Sequence, residues 1–375
     1  MKQLYVLLLH LACLFTVCSH AQGLTKSTIT TGYPEWKKED DYMDQRLPNK
    51  LVAEMKKIMS VLSLSVQSVY PEPQGCDATW QGAYFSNKEN AFPLFKYEMR
   101  SRFYIGDSGS SDPGSRKESR FTITANDLSL LQQPFDLNGK TYPSVRLMKP
   151  VFNGIWYDAF RNDKEDTAAG FRQIKTWLIS YPDSLPYFFM TRKEYLEQAL
   201  QEIAAGKEGL KEDLKQRIPV KSFEEEEATK KREIAEIENT YSGVAGSNLV
   251  KRWLASYKPD SVYFKEVFTA KAIPFDADSV RVDSLLKKSS AEDLQRPAIV
   301  SGPASGFSGF ADSLSDGRAL IKWNMDYFNR QISMARPQFM VVVWQYDPSN
   351  GVAAEIDKQL AEKFDFCILS GLLGR

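Results

Sequence analysis

The stretch Phe95-Lys96-Tyr97-Glu98-Met99-Arg100-Ser101-Arg102-Phe103-Tyr104-Ile105 decides the fold. In an extended chain Phe95, Tyr97, Met99, Phe103 and Ile105 share one side, and Lys96, Glu98, Arg100 and Arg102 share the other. A period of two with one apolar and one charged side specifies a half-buried strand. The Gly/Ser/Asp/Pro-rich residues 106–114 make a connector, and residues 120–124 read as the returning strand. Further extended pieces are expected at 144–151 and 155–160. Upstream, Leu51, Met55, Ile58 and Leu62 recur at helical spacing, so 49–65 is an amphipathic helix, stopped by Tyr70-Pro71-Glu72-Pro73-Gln74-Gly75. The N-terminal half therefore reads as an antiparallel sheet with a helix against it.

The middle of the chain differs in kind. Thr191-Arg192-Lys193-Glu194 and Ser222-Phe223-Glu224-Glu225 are two capping boxes, each joining a hydroxyl to the amide three residues on. The first opens a helix with the stripe Tyr195, Leu196, Ala199, Leu200 and Ile203. The second opens a helix with only Phe223, Ile234, Ile237 and Tyr241 as apolar positions, and Pro219 separates the two. Glu224 to Glu227 precede Lys230, Lys231 and Arg232, an order that suits the helix dipole and i,i+4 pairing. The expected element is a charged, protruding helical hairpin over 193–241. Beyond it, strands are expected at 261–269, 297–300 and 339–346, a helix at 351–364 with Val352, Ile356, Leu360 and Phe364 inward, and a closing strand at 366–369. The fold class is α+β: antiparallel sheet regions packed with helices, plus the hairpin. The implied division is 1–21 leader, 22–176 N-terminal α+β region with an irregular lead-in at 22–50, 177–260 helical region, and 261–375 C-terminal α+β region.

One octet recurs. Trp177-Leu178-Ile179-Ser180-Tyr181-Pro182-Asp183-Ser184 returns as Trp253-Leu254-Ala255-Ser256-Tyr257-Lys258-Pro259-Asp260-Ser261, and each copy is followed by Tyr-Phe. The shared content is an apolar segment, a Pro-Asp-Ser turn and an aromatic extended piece. A duplicated unit and shared turn chemistry both fit it.

Residues 1–21 have the order of a secretory signal: basic Lys2, an apolar run over 4–17, and Ser19-His20-Ala21 before Gln22. Its apolar core is too short for a membrane span, and no later run reaches spanning length. Cleavage after Ala21 leaves 354 residues with 47 basic and 48 acidic side chains, no histidine, and only Cys76 and Cys367 of the four cysteines. The absence of histidine excludes Ser-His-Asp and Cys-His catalysis, His-ligated zinc and His-based proton transfer. Two distant thiols exclude four-thiolate zinc and iron–sulfur sites. The balanced charge argues against a nucleic-acid partner. Export permits a disulfide, so Cys76 and Cys367 are a candidate pair, with two buried thiols as the alternative.

Positive chemistry is sparse. Asp107-Ser108-Gly109-Ser110-Ser111-Asp112 offers calcium-type oxygens without the rest of an EF-hand loop, and fits a hairpin connector better. Ser301-Gly302-Pro303-Ala304-Ser305-Gly306-Phe307-Ser308-Gly309 follows a strand, but lacks GxGxxG and P-loop spacing and loses an amide to Pro303. No cofactor or metal is implied. Trp80 and Tyr84 beside Gly82, and Trp156 and Tyr157 after Gly154, are candidate ligand or partner contacts, since aromatic faces in glycine-rich segments suit sugars and protein surfaces; core packing is the competing role.

Tyr327-Phe328-Asn329-Arg330, Arg336-Pro337-Gln338-Phe339-Met340-Val341-Val342 and Thr191-Arg192-Lys193-Glu194-Tyr195-Leu196-Glu197 resemble segments of large exported proteins of unassigned function from Bacteroidetes-type bacteria. That resemblance covers these few segments, implies export and brings no catalytic residue with it. The expectation is an exported protein, periplasmic or on the cell surface, that binds or assembles with an envelope protein or glycan, leaning away from catalysis. The alternative is a secreted carboxylate-dependent hydrolase acting on glycans.

Overall fold

The structure, a computed structural model, describes residues 35–86, 94–105, 117–137, 140–146, 148–162, 172–301, 307, 309–311 and 317–374. The leader, the 107–112 loop and most of the 302–316 loop lie outside the described residues. The chain is α+β and forms two compact units, each discontinuous in sequence.

The first unit draws on Met1–Gln133, Val145–Phe188 and Lys322–Arg375. Its elements are β1 (Lys37–Lys38), β2 (Tyr42–Met43), α1 (Asn49–Val69), β3 (Asp77–Phe85), β4 (Lys96–Ile105), β5 (Lys117–Ala125), β8 (Lys149–Phe152), β9 (Ile155–Asn162), β10 (Arg172–Ile179), β14 (Met340–Tyr346), α7 (Gly351–Lys363) and α8 (Phe366–Leu372). The strands form one nine-stranded sheet, β1-β3-β4-β5-β14-β10-β9-β8, with β2 also on β3; β1 and β2 join parallel and the rest pair antiparallel. The charged/apolar alternation of β4 is realised residue by residue: Tyr97, Met99, Ser101, Phe103 and Ile105 are buried and the residues between them half-buried. In register across the sheet lie Tyr97, Ala125, Met340, Ile179 and Ile155, then Met99, Ile123, Val342, Trp177 and Tyr157, then Ser101, Phe121, Trp344, Lys175 and Ala159. The buried stripe of α1, Val52, Met55, Ile58, Met59, Leu62, Val66 and Val69, shares one core with these strands and with Ala353, Ile356 and Leu360 of α7 and Leu369 of α8. Each fully buried large side chain there, Phe103 or Met99 for example, contributes roughly 2–3 kcal/mol of hydrophobic stabilisation.

Asn126, just past β5, has φ 58°, a conformation Asn tolerates better than most residues. Its side chain donates to Phe95 O (3.2 Å) and Arg336 O (3.0 Å) and accepts from Gln338 N (2.8 Å). One buried amide thus ties two other backbone segments, at 95 and 336–338, to its own, which offsets the strain at its φ.

The second unit draws on Pro134–Ser144 and Phe189–Ile321. Its helices are α2 (Arg192–Arg217), α3 (Phe223–Thr240), α4 (Gly243–Ser256), α5 (Asp260–Lys288) and α6 (Ala291–Gln295). A five-stranded sheet runs β11-β13-β7-β6, with β12 also on β13; these strands are β6 (Gln132–Leu137), β7 (Lys140–Val145), β11 (Tyr187–Phe189), β12 (Ile299–Ser301) and β13 (Gly317–Trp323). Both capping boxes form as read: Glu194 N donates to Thr191 Oγ1 at 3.1 Å and Thr191 N to Glu194 Oε2 at 2.9 Å, and Ser222 and Glu225 repeat the pattern. Tyr195, Leu196, Ala199 and Ile203 on the first turns of α2 pack with Val282, Ala298, Val300, Phe307 and Leu320 as this unit's core.

Several expectations are corrected. Residues 261–269 are rich in aromatic and β-branched side chains but belong to helix α5, because Phe264, Val267, Phe268, Ala272 and Phe275 recur at helical spacing on its inner side. Residues 366–369 open helix α8, capped by Asp365 accepting from Cys367 N at 2.9 Å, and are not a strand. The lead-in is not wholly irregular, since β1 and β2 add to the edge of β3. The helical stretch is present but pairs differently: α2 lies along α5, where Lys207 meets Asp276 at 2.5 Å, and α3 packs on α4. The recurring octet is not a structural repeat. Its first copy ends strand β10 and turns at Asp183 (φ 54°), while its second copy is the end of helix α4.

Candidate functional site

On β10, Gln173, Lys175, Trp177 and Ile179 share one side of the strand, so the alternation that packs half-buried Trp177 and buried Ile179 on the core also directs Lys175 toward the helices. A half-buried ammonium needs a counter-charge. Asp357 supplies it from α7, next to the buried Ile356. Its carboxylate accepts from Lys175 Nζ at 2.6 and 2.8 Å, from Trp344 Nε1 at 3.1 Å and from Tyr346 Oη at 2.9 Å. The Lys175 and Asp357 side chains keep 21% and 19% of their exposure. Lys175 Nζ also stands 5.6 Å from the Tyr346 ring centre. Burial, then the Asp357 bond, pushes the Tyr346 phenol well above its usual pKa, so it stays a donor.

Aromatic rings flank this cluster. Tyr157 lies 5.2 Å from Trp177, and Trp177 lies 5.0 Å from Phe366. Tyr157, one of the four aromatics nominated from sequence, thus stands beside the carboxylate, and burial followed by Asp357 raises its pKa. The other three do not join it. Trp156 is its neighbour on β9 and lies on the opposite side of the sheet, with its indole N–H buried and without a hydrogen-bond partner among the described residues. Tyr84 is 1% exposed in the core, and Trp80, on the same side of β3, is half-buried under the Lys38 ammonium at 4.9 Å. Five strand spacings separate β3 from β9, roughly 24 Å at the usual inter-strand distance. The four aromatics therefore form no single platform. Lys175, Trp344, Tyr346 and Asp357 were not nominated from sequence; the signal for them was a lysine in register with inward-facing Trp177, with no neighbouring acid on its own strand.

Chemically the cluster holds and orients. Four donated hydrogen bonds occupy the Asp357 oxygens, and the cluster contributes one carboxylate where a glycosidase needs two, one of them kept protonated. Asp44, Glu54, Glu208 and Glu225 all have carboxyl pKa values displaced downward. Arg46 and Ser86 depress Asp44; at Glu54 burial opposes the shift, and hydrogen bonds from Ser333 and Arg336 outweigh it. These are the shifts of ion-paired or capping carboxylates, opposite to that of a general acid. Among the described residues no group of three or more metal-ligating side chains gathers. Cys76 and Cys367 are not joined by a disulfide, and burial with the nearby Asp77 charge pushes the Cys76 thiol up to about 11.

The second unit offers a surface. Helix α3 has no fully buried residue, and α4 has only Gly246. Large apolar side chains stay in solvent, with Phe223 at 73% and Val244 at 80% exposure, and Tyr241, Leu249 and Leu254 are exposed as well. Val250, Trp253 and Tyr257 on one side and Ile234 and Ile237 on the other are only half-buried. A two-helix pair of this kind holds little apolar area out of water by itself.

Comparison with protein families, with curated proteins and with solved structures finds no match to this chain. No helix among the described residues is long and apolar enough to cross a membrane.

Proposed function

We propose that this chain is an exported protein of the cell envelope, periplasmic or on the cell surface, which acts by binding or assembling with another envelope component, a protein or a glycan. Export rests on the secretory pattern of residues 1–21. The observation that carries the binding role is the α3–α4 arm, which stays helical while burying no side chain and leaving Phe223, Tyr241, Val244 and Leu254 exposed. Several large apolar side chains left exposed on one charged element suit an interaction surface. The test is crosslinking in intact cells, followed by capture of the tagged chain and mass spectrometry. A stoichiometric partner joined through Lys230, Lys231, Lys251 or Lys258 supports the reading; partners joined only through lysines of the first unit would sink the arm's part in it.

A second reading, a glycan hydrolase, has its foothold at Asp357 beside Tyr157 and Trp177, a half-buried carboxylate with aromatic neighbours. Glycan turnover shown by the wild-type chain and lost in Asp357→Asn, with the variant still folded by circular dichroism at the assay temperature, would favour it.

A further inference from the structure

We propose that the α3–α4 hairpin is half of a four-helix bundle completed by the same hairpin of a second copy of this chain. The proposal rests on reading the arm as partner-facing and names the partner. On α4, which packs on α3, Gly246 is buried and Val250 and Trp253 are half-buried, a stripe at helical spacing. Leu249 and Leu254 lie 60–80° to either side of that stripe at 100° per residue, roughly where the flanking positions of a bundle helix lie. A helix in a two-helix pair needs one apolar stripe, and a helix in a four-helix bundle needs a wider one because it has two neighbours. The α4 stripe has the wider form; α3 packs on it, and Leu249 and Leu254 at its edges remain exposed.

Charge identifies the occupant. Helix α3 carries seven glutamates against Lys230, Lys231 and Arg232, a clear acid excess. Helix α4 carries Lys251 and Arg252 and no acid. Along α2 and α5 the charges are largely consumed in local pairs, such as Lys211–Glu208, Lys215–Glu212, Arg217–Asp213 and Lys287–Asp283. By contrast Glu224, Glu236, Glu238, Lys251 and Arg252 are exposed and make no ion pair among the described residues. An acidic helix beside a basic one is self-complementary about a two-fold axis. Helix α4 of one copy lies on α3 of the other, and every contact occurs twice, closing the assembly at two chains. An anionic lipid surface fits less well, because the acid excess of α3 would face it.

The experiment is sedimentation equilibrium of the purified chain over a range of concentration, with two charge-reversed variants at exposed positions: Lys251→Glu with Arg252→Glu, and Glu236→Lys with Glu238→Lys. The wild-type chain is expected at twice its chain mass, and each variant alone at the single-chain mass with unchanged helical circular dichroism. An equimolar mixture of the two variants is expected to recover the doubled mass, since the reversed charges again face their opposites. Single-chain mass for the wild type at every concentration overturns the second-copy proposal. A different protein crosslinked to the arm would then still support the function proposed above. A doubled mass untouched by either variant places the contact elsewhere and also overturns it.

Discussion

The ammonium of Lys175 lies 2.6 and 2.8 Å from the two carboxylate oxygens of Asp357, tying strand β10 to helix α7. Two bonds to one cation, with Trp344 and Tyr346 completing the carboxylate, make this a geometrically fixed pair, unlike a surface contact between mobile side chains. Asp357→Leu strands a half-buried ammonium and is expected to lower unfolding free energy by about 2–3 kcal/mol, below the range for a fully buried pair because both groups keep some solvent. Adding Lys175→Met should recover most of that loss. Urea denaturation of the two single variants and the double variant checks it; a double variant as weak as Asp357→Leu would mean that the stranded charge was not the cause.

Gly206 and Gly209 lie one turn apart on α2, and the same substitution should act on them in opposite directions. A β-carbon at Gly209 meets open space, whereas one at Gly206 would stand 2.8 Å from Cε1 of Phe275 on α5. Gly209→Ala is expected to stabilise by about 0.5–1 kcal/mol through helix propensity. Gly206→Ala gains the same propensity and loses it to the crowded α2–α5 contact, so its midpoint should fall below that of Gly209→Ala by more than the gain. Thermal unfolding of both variants decides.

Glu54 on α1 accepts from Ser333 Oγ and Arg336 Nε, both at 2.6 Å, and its folded pKa lies below the usual value of 4.5. A depressed carboxyl contributes stability that is present above its unfolded pKa and is lost as pH falls through the folded one. Wild-type stability should therefore drop below about pH 4.5 more steeply than that of Glu54→Gln, and the two curves should converge in stronger acid. Parallel curves would remove the ion pair as a source of acid sensitivity.

Cys76 has its thiol pKa raised from 9.0 to about 11, so at pH 8 its thiolate fraction in the folded chain is far below that of an ordinary cysteine. Native alkylation at pH 8 followed by peptide mass spectrometry should leave Cys76 unmodified, and denaturation should expose it at once. The unfolded chain releases this proton first, so the Cys76 contribution to stability falls as pH rises from about 9 to about 11. Cys76→Val should show a shallower alkaline decline than wild type in the same window.

Much of the fold can be read locally. The alternation over 96–105 fixes the strand β4 and the side it buries, and Leu51, Met55, Ile58 and Leu62 mark α1, which runs on past the expected 65 to Val69. Both capping boxes place helix starts to the residue, because a hydroxyl and a carboxylate three positions apart satisfy amides that nothing else reaches. The candidate site was less legible. Tyr157 was nominated, but Asp357 and Lys175 stand far apart in sequence and become one cluster only when α7 settles on β10 and β14. Trp80 and Tyr84, with the same local signature as Tyr157, share its side of the sheet but stand five strands away on β3.

The sequence by itself determined the α+β class, the strands β4, β5, β9 and β14, and the starts of α1, α2, α3 and α7; each is a property of neighbouring residues or of composition. Tertiary structure decided the rest. Trp177-Leu178-Ile179 and Trp253-Leu254-Ala255 are nearly the same words, yet the first is a strand because β9 and β14 flank it with free backbone groups, and the second is helical in α4, where Val250 and Trp253 are half-buried at helical spacing and the helix packs on α3. The 261–269 segment likewise becomes helix against α2. Such segments have weak local preferences of about equal size, and the partner that buries their apolar side chains settles the choice.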